Sequence, residues 1–229
     1  MVRPGEKPVA PPLRAGVNVR LIRDRLGSEF GRILAVGCGS GLEALALAQE
    51  FKSKVVGIDL DPTGFNPEAA EKADLKKGDA TQLEFSNEEF DLIYSCHALE
   101  HIPQFEKALR EMGRVLRKGG GFFIETPNCA RLIGYLGSET ATWKQKIVWN
   151  WYDWKARWEG TFRNDLGAHA GFFSDELKKE LEKVFGYSEE ITLPYYLELY
   201  NPRASLIKGL DRSGLGKYLF PSIFFIGRK

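Results

Sequence analysis

The sequence predicts a doubly wound α/β protein built on a mostly parallel sheet. Three observations lead there: short, continuously apolar runs, helical apolar spacing between them, and glycine-rich turns where a run gives way to a helix. An unbroken apolar run suits a strand covered on both faces. Parallel strands alternating with helices imply right-handed crossovers that place helices on both sides of the sheet.

Arg14 to Leu26 reads as a helix with Val17, Leu21 and Ile22 on one side. Ile33 to Val36 is the first strand, Gly37 to Gly41 a turn and Leu42 to Phe51 a helix. Val55 to Ile58 is the second strand, ending at Asp59, and Glu68 to Ala73 is a short helix. Leu75 opens a third strand before Gly78-Asp79, and Phe90 to Cys96 is a fourth. Phe105, Ala108, Leu109, Met112, Val115 and Leu116 share one face of a helix that stops at Gly119-Gly120-Gly121. Phe122 to Glu125 is the fifth strand and leaves through Thr126-Pro127-Asn128. Residues 129–170 break this rhythm. Beyond them Ser174 caps a helix with Leu177, Leu181, Val184 and Phe185, and Tyr187 to Leu193 and Leu219 to Ile226 read as two last strands. The organisation expected is a flexible proline-bearing tail (1–12), a core (13–128), an inserted helical cap (129–170) and a return to the core sheet (171–229).

Composition narrows the function classes. The net charge of the 229 residues is +1, so a long nucleic acid is not expected as partner. No apolar run reaches the roughly 18–20 residues of a membrane span, and the N-terminal residues lack the apolar stretch of a secretory signal. Cys38, Cys96 and Cys129 are too scattered for a disulfide framework or a zinc spacing. A cytoplasmic protein is expected. Nothing in the sequence fixes its oligomeric state.

The turn Gly37-Cys38-Gly39-Ser40-Gly41 lies between a strand and a helix start. There glycines allow close backbone approach and unpaired N–H groups face a ligand. A tight turn that binds nothing has the same glycines. The dinucleotide fingerprint Gly-x-Gly-x-x-Gly would need a third glycine where Leu42 stands, which disfavours a nicotinamide oxidoreductase. Eighteen residues after Gly41, Asp59 ends the second strand, placed to accept hydrogen bonds from ribose hydroxyls.

This turn, together with Gly78-Asp79-Ala80, Phe90-Asp91-Leu92-Ile93-Tyr94-Ser95-Cys96-His97 and Arg114 to Gly121, resembles the class I methyltransferases that use S-adenosylmethionine (SAM). The subgroup resembled most closely contains quinone and natural-product methyltransferases, through Leu99-Glu100-His101-Ile102-Pro103, Thr126-Pro127-Asn128 and His169 with its following Phe172-Phe173-Ser174. The resemblance implies a seven-stranded sheet whose last strand is antiparallel. It implies a SAM site lined by Gly37, Cys38 (through its backbone), Gly39, Gly41, Asp59, Leu60, Asp79, Ala80 and Cys96. The activity implied is methylation of a small, partly apolar acceptor, at oxygen. Alternatives are a SAM-binding protein without catalysis, or methylation of RNA or a membrane-associated lipid.

All three histidines fall near the implied reaction centre. If residues 97–101 form a helical turn, His97, Glu100 and His101 share a face, and His169 follows the insertion. Glu100 and His101 could equally brace a loop. As chemistry, His97, His101 and His169 are candidates for a general base that deprotonates an acceptor hydroxyl. A divalent metal held by His97, Glu100, His101 and His169 is the other reading. It resembles the Glu-x-x-Glu-His plus distant His of small-RNA 3′-end methyltransferases, with His97 replacing the first Glu, and is not favoured.

All five tryptophans lie within the insertion. Trp143, Ile147, Trp151, Trp154 and Trp158 form one helical stripe, with Lys144, Lys146, Lys155 and Arg157 among them. Two readings stand: the stripe packs an added helix onto the sheet edge, with Trp149 and Tyr152 left as aromatic surface, or it belongs to a mobile lid and contacts an apolar acceptor. Peripheral membrane contact and base stacking are the other readings of basic residues among tryptophans.

Overall fold

The computed structural model describes residues 13–135 and 141–229; the expected tail at 1–12 and residues 136–140 of the insertion lie outside them. A seven-stranded sheet runs β3-β2-β1-β4-β5-β7-β6. Its strands are β1 (Arg32–Val36), β2 (Lys54–Asp59), β3 (Asp74–Lys77), β4 (Phe90–Cys96), β5 (Leu116–Pro127), β6 (Glu189–Glu190) and β7 (Ser222–Arg228). The first five pair in parallel, and β7 lies antiparallel to β5, as expected.

Alternate residues of each central strand enter different cores, which is what makes the runs continuously apolar. Ile33, Ala35, Leu92, Tyr94 and Phe123 pack with helices α1 (Leu13–Leu26), α2 (Leu42–Phe51) and α7 (Thr192–Leu199). Leu34, Val36, Ile93, Phe122 and Ile124 pack with α4 (Phe105–Val115) and α6 (Ser174–Phe185). A third, short helix, α3 (Pro67–Lys72), is capped by Asn66, whose side chain accepts from the N–H groups of Glu68 and Ala69.

The C-terminal third departs from the expected strands. The reading of Tyr187 to Leu193 as a strand is corrected: β6 keeps two residues, and α7 starts at Thr192 with Pro194 in its first turn, a position where a missing N–H costs nothing. The last strand starts at Ser222 rather than Leu219, because Gly216–Leu219 forms a helical turn, α9, ahead of Pro221. A further helix, α8 (Ala204–Arg212), joins α7 to α9.

The insertion carries α5 (Trp143–Trp158), opened by a capping box between Thr142 and Gln145. Its orientation goes against packing of the tryptophan stripe on the sheet edge. Asn150 and Asp153 are its buried side chains, whereas Trp143, Trp151 and Trp158 are 68%, 62% and 92% exposed. The apolar stripe faces outward because the inward contacts are polar. Asn150 bonds both the N–H and the carbonyl of Gly134 (2.6 and 3.1 Å), and Asp153 pairs with buried Arg131 (3.2 Å).

Candidate functional site: a glycine turn and a line of histidines

The parallel strands end on a common side, and the glycine turn sits there between β1 and α2. The N–H groups of Gly37 and Cys38 both donate to the Ile58 carbonyl (2.9 and 3.0 Å), which ties the turn to the end of β2. Gly37, Gly39 and Gly41 all have positive φ, but their surroundings differ. A Cβ on Gly37 would lie 2.2 Å from that of Ala98, and one on Gly41 would lie 2.3 Å from Leu75 Cδ1. A Cβ on Gly39 would meet no atom within 4 Å. Gly37 and Gly41 are therefore glycines for packing, while Gly39 presents bare backbone to open space.

Asp59 holds this turn from the β2 side. Its Oδ2 accepts from the Gly39 N–H (2.8 Å) and its Oδ1 from the Asp61 N–H (3.1 Å). Each oxygen keeps a further lone pair, enough for two ribose hydroxyls. Leu60 beside it is 62% exposed, an apolar shelf at the mouth of the crevice. The Gly78 N–H donates to the Asp59 carbonyl (2.9 Å), placing Asp79 and Ala80 next to that shelf. Asp79 is exposed, and one of its oxygens is engaged by the N–H and hydroxyl of Thr81 (2.7 and 2.8 Å); Ala80 is buried. Cys38 packs against Gly57, and burial together with Asp59 pushes its thiol up to about 12. These residues fit SAM: unhindered backbone at Gly39, spare acceptors on Asp59, and an apolar shelf at Leu60.

Beyond the turn lies a buried polar network that joins Cys96 and His97 to Asn18, Glu43 and Glu125, which were not singled out by sequence. Glu43 pairs with Arg14 (3.3 Å) and accepts from the Tyr94 hydroxyl (3.1 Å), which accepts from Asn18 (2.8 Å). Glu125 on β5 accepts from the Cys96 thiol (2.7 Å) and pairs with His97 Nε2 (3.1 Å). Burial, Glu125 and Glu43 keep the Cys96 thiol protonated. Burial penalises the Glu125 charge, but His97 and Arg14 outweigh it and bring the carboxyl down to about 2. One signal could have revealed Glu125: it is a carboxylate directly following the apolar run Phe122-Phe123-Ile124 of a strand covered on both faces.

The three histidines do come together, as a line rather than as one face of a helix. His97 has φ 51° and precedes a 3-10 turn at Leu99–His101. Its Nδ1 lies 3.3 Å from Glu100 Oε1, and His101 Nε2 lies 3.9 Å from the same oxygen. The His101 and His169 rings meet edge to face, with centroids 4.5 Å apart. Desolvation opposes a charge on His97, yet Glu125 and Glu100 raise it to about 10, with both ring nitrogens engaged. The expectation that His97 could act as a base gives way to a clamp between two carboxylates. His169 differs, since burial and nearby His101 lower its pKa, leaving it neutral at neutral pH.

The expected metal set of His97, Glu100, His101 and His169 does not converge on one point. Among the described residues the group close enough to share an ion is Cys96, His97 and Glu125, and these side chains are already engaged with one another. Two cavities flank the histidine line. One, of about 380 Å³, is lined by Glu100, His101, Phe105 and Phe172; the other, of about 350 Å³, by Tyr152, Lys155 and His169.

The sheet order is that of the Rossmann-like methyltransferase fold. Residues 34–124 match the family described as methyltransferase domain. Among curated proteins, the ubiquinone biosynthesis O-methyltransferase of Escherichia coli is 32% identical over 130 residues, covering 51% of this chain and 50% of that protein. The chloroplastic tocopherol O-methyltransferase of Arabidopsis thaliana is 30% identical over 125 residues, 51% of this chain and 36% of that protein. The fatty-acid O-methyltransferase of Mycolicibacterium smegmatis is 35% identical over 99 residues, 41% of this chain and 36% of that protein. The chain thus spans about half or less of the length of these relatives. Among solved structures, phosphoethanolamine N-methyltransferase 2 of Haemonchus contortus, in complex with phosphomonomethylethanolamine and S-adenosylhomocysteine, superposes with a TM-score of 0.60. It is 18% identical, and the match covers 96% of this chain and 54% of that one. The YcgJ protein of Bacillus subtilis gives 0.57 at 17% identity, over 94% and 97% of the two chains. At these identities the likeness is one of fold.

Proposed function

We propose that the chain transfers a methyl group from SAM to a hydroxyl of a small, partly apolar acceptor, with His169 taking the hydroxyl proton. The observation that carries this reading is the His101–His169 pair between two cavities, linked through Glu100 to the end of β4 beside the cofactor crevice. Three relatives support the class of acceptor by name: they are called ubiquinone biosynthesis, tocopherol and fatty-acid O-methyltransferases.

Bound SAM would supply the electrophilic methyl, its sulfur retaining the electron pair of the bond given up. Asp59 and the Gly39 backbone hold the nucleoside end. The clamped His97 fixes the chain between β4 and the 3-10 turn, and with it the position of His101. His169 is neutral and borders the second cavity, so it accepts the proton as the acceptor oxygen bonds to the methyl carbon. Most of the rate arises from holding oxygen, carbon and sulfur in line, with the base adding about 10²- to 10⁴-fold.

Calorimetry with SAM and with NAD tests the cofactor, and label transfer from methyl-labelled SAM to a panel of phenols and fatty acids tests the reaction. His169→Ala should lower turnover at least tenfold while SAM affinity stays within a few fold. Turnover should fall on acidification through an apparent pKa below the usual 6.5, as His169 protonates. Tight NAD binding without a response to SAM would overturn the cofactor, and full turnover in His169→Ala would remove the base.

A further inference from the structure

The outward face of α5 is not what remains after a helix has packed its apolar side. Its polar side is the packed one. Asn150 and Asp153 are held by Gly134 and Arg131, and Arg157 donates to the carbonyls of Cys129 and Arg131 (2.9 and 2.7 Å). Outside lie Trp143, Ile147, Trp151, Trp154 and Trp158, all exposed, with Tyr152 exposed on the flank. Leu132 and Ile133, on the segment that α5 docks against, extend this apolar surface. So large a run of exposed aromatic area on one helix calls for a partner.

The chemistry of the face selects that partner. Tryptophan and tyrosine dominate it, the residues that settle at the boundary between headgroups and acyl chains because one end is apolar and the other polar. Lys144 stands exposed among them, its Nζ 5.8 Å from the Trp143 ring, while Lys155 at the edge pairs with Glu159 (3.7 Å). The single acid of α5, Asp153, is turned inward against Arg131. The exposed face is therefore aromatic and cationic. A second copy of it would set lysine against lysine, whereas anionic headgroups complement it. On the flank of the same helix, off the tryptophan stripe, Tyr152 and Lys155 line the cavity of about 350 Å³ that ends at His169.

We propose that α5 lies in the surface of an anionic lipid bilayer and that the methyl acceptor passes from that lipid to His169 through the cavity beneath the helix. The second half rests on the methyl-transfer reading; the docking of α5 does not. Every tryptophan of the chain lies in this helix, so its emission reports on α5 alone.

The experiment is co-sedimentation of the full chain with phosphatidylglycerol or phosphatidylcholine vesicles, with tryptophan emission, oligomeric state and SAM calorimetry recorded on the same samples. The expected result is binding to phosphatidylglycerol with a blue shift, weakened by high salt and at least several-fold weaker on phosphatidylcholine. The double variant W151S/W158S should lower vesicle affinity about tenfold or more with unchanged circular dichroism and SAM affinity. Lys144→Glu, a milder change on an exposed side chain, should lower it several-fold. Absence of binding to either vesicle, binding without an emission shift, or a vesicle-free dimer broken by W151S/W158S would each overturn the proposal. Vesicle binding by a chain that fails to bind SAM would instead sink the methyl-transfer reading and leave the docking intact.

Discussion

His97 occupies a left-handed backbone conformation, which costs a residue with a Cβ about 1–2 kcal/mol, and two carboxylates hold it there. Its folded pKa of about 10 lies above the usual 6.5, so its contribution to stability is complete below pH 6.5 and is lost as pH climbs toward 10. Glu125 runs the other way: at about 2 against the usual 4.5, its contribution is complete above pH 4.5 and is lost as pH falls toward 2. The pair is thus strongest between pH 4.5 and 6.5. Melting temperature should decline from pH 6.5 to 9 in the native chain, and His97→Gln should be less stable but flat across that interval. An equal decline in the variant would show that the slope has another source. The gathering of the three histidines was legible in their positions after β4 and after the insertion. The protonation of His97 was not, because it depends on Glu125, which reaches it only once β4 and β5 pair.

At the scale of elements, strands β1 to β5 were legible because two-sided burial writes itself into sequence as unbroken apolar runs. The helix α5 was legible as a helix, yet its inward face was misassigned. Periodicity marks a stripe without saying whether protein covers it, and here Asn150, Asp153 and Arg157 share the opposite face and bond to the 129–135 segment. The C-terminal helix α7 took over the end of an expected strand for a related reason. Ile191 donates to the Phe224 carbonyl, then Thr192 accepts from the Phe224 N–H and the chain turns away, a tertiary contact that no local pattern announces. These assignments reverse the expected effects of substitution. Trp151→Ala should change global stability by no more than about 0.5 kcal/mol, as for other exposed positions. Asp153→Ala leaves buried Arg131 without its carboxylate, and should cost on the order of 3 kcal/mol locally. Hydrogen exchange should read that loss as faster exchange through α5 with the sheet unchanged; protection in α5 equal to the native chain would place its anchoring elsewhere.

At the scale of the molecule, the sheet, the glycine turn and Asp59 form one mechanical unit: the turn bonds to the end of β2, and Asp59 bonds back to the turn. A ligand that bridges them binds the folded chain and not the unfolded one, so it must raise global stability. SAM at about one hundred times its dissociation constant should contribute about 2.7 kcal/mol. For a domain of this size that corresponds to a rise in melting temperature of roughly 5–10 °C. Two glycine substitutions separate the architecture of the turn from its use. Gly41→Ala drives a methyl into Leu75 and should unfold the turn even without ligand. Gly39→Ala meets no protein atom, so the ligand-free chain should lose only about 1–2 kcal/mol from the left-handed backbone. The new methyl would nonetheless occupy the space that the cofactor's approach requires, and the rise with SAM should vanish. Scanning calorimetry of the three proteins with and without SAM reads both effects. A Gly39→Ala chain that still gains its full stabilisation would mean that SAM does not lie against this turn, and the open space at Gly39 would need another occupant.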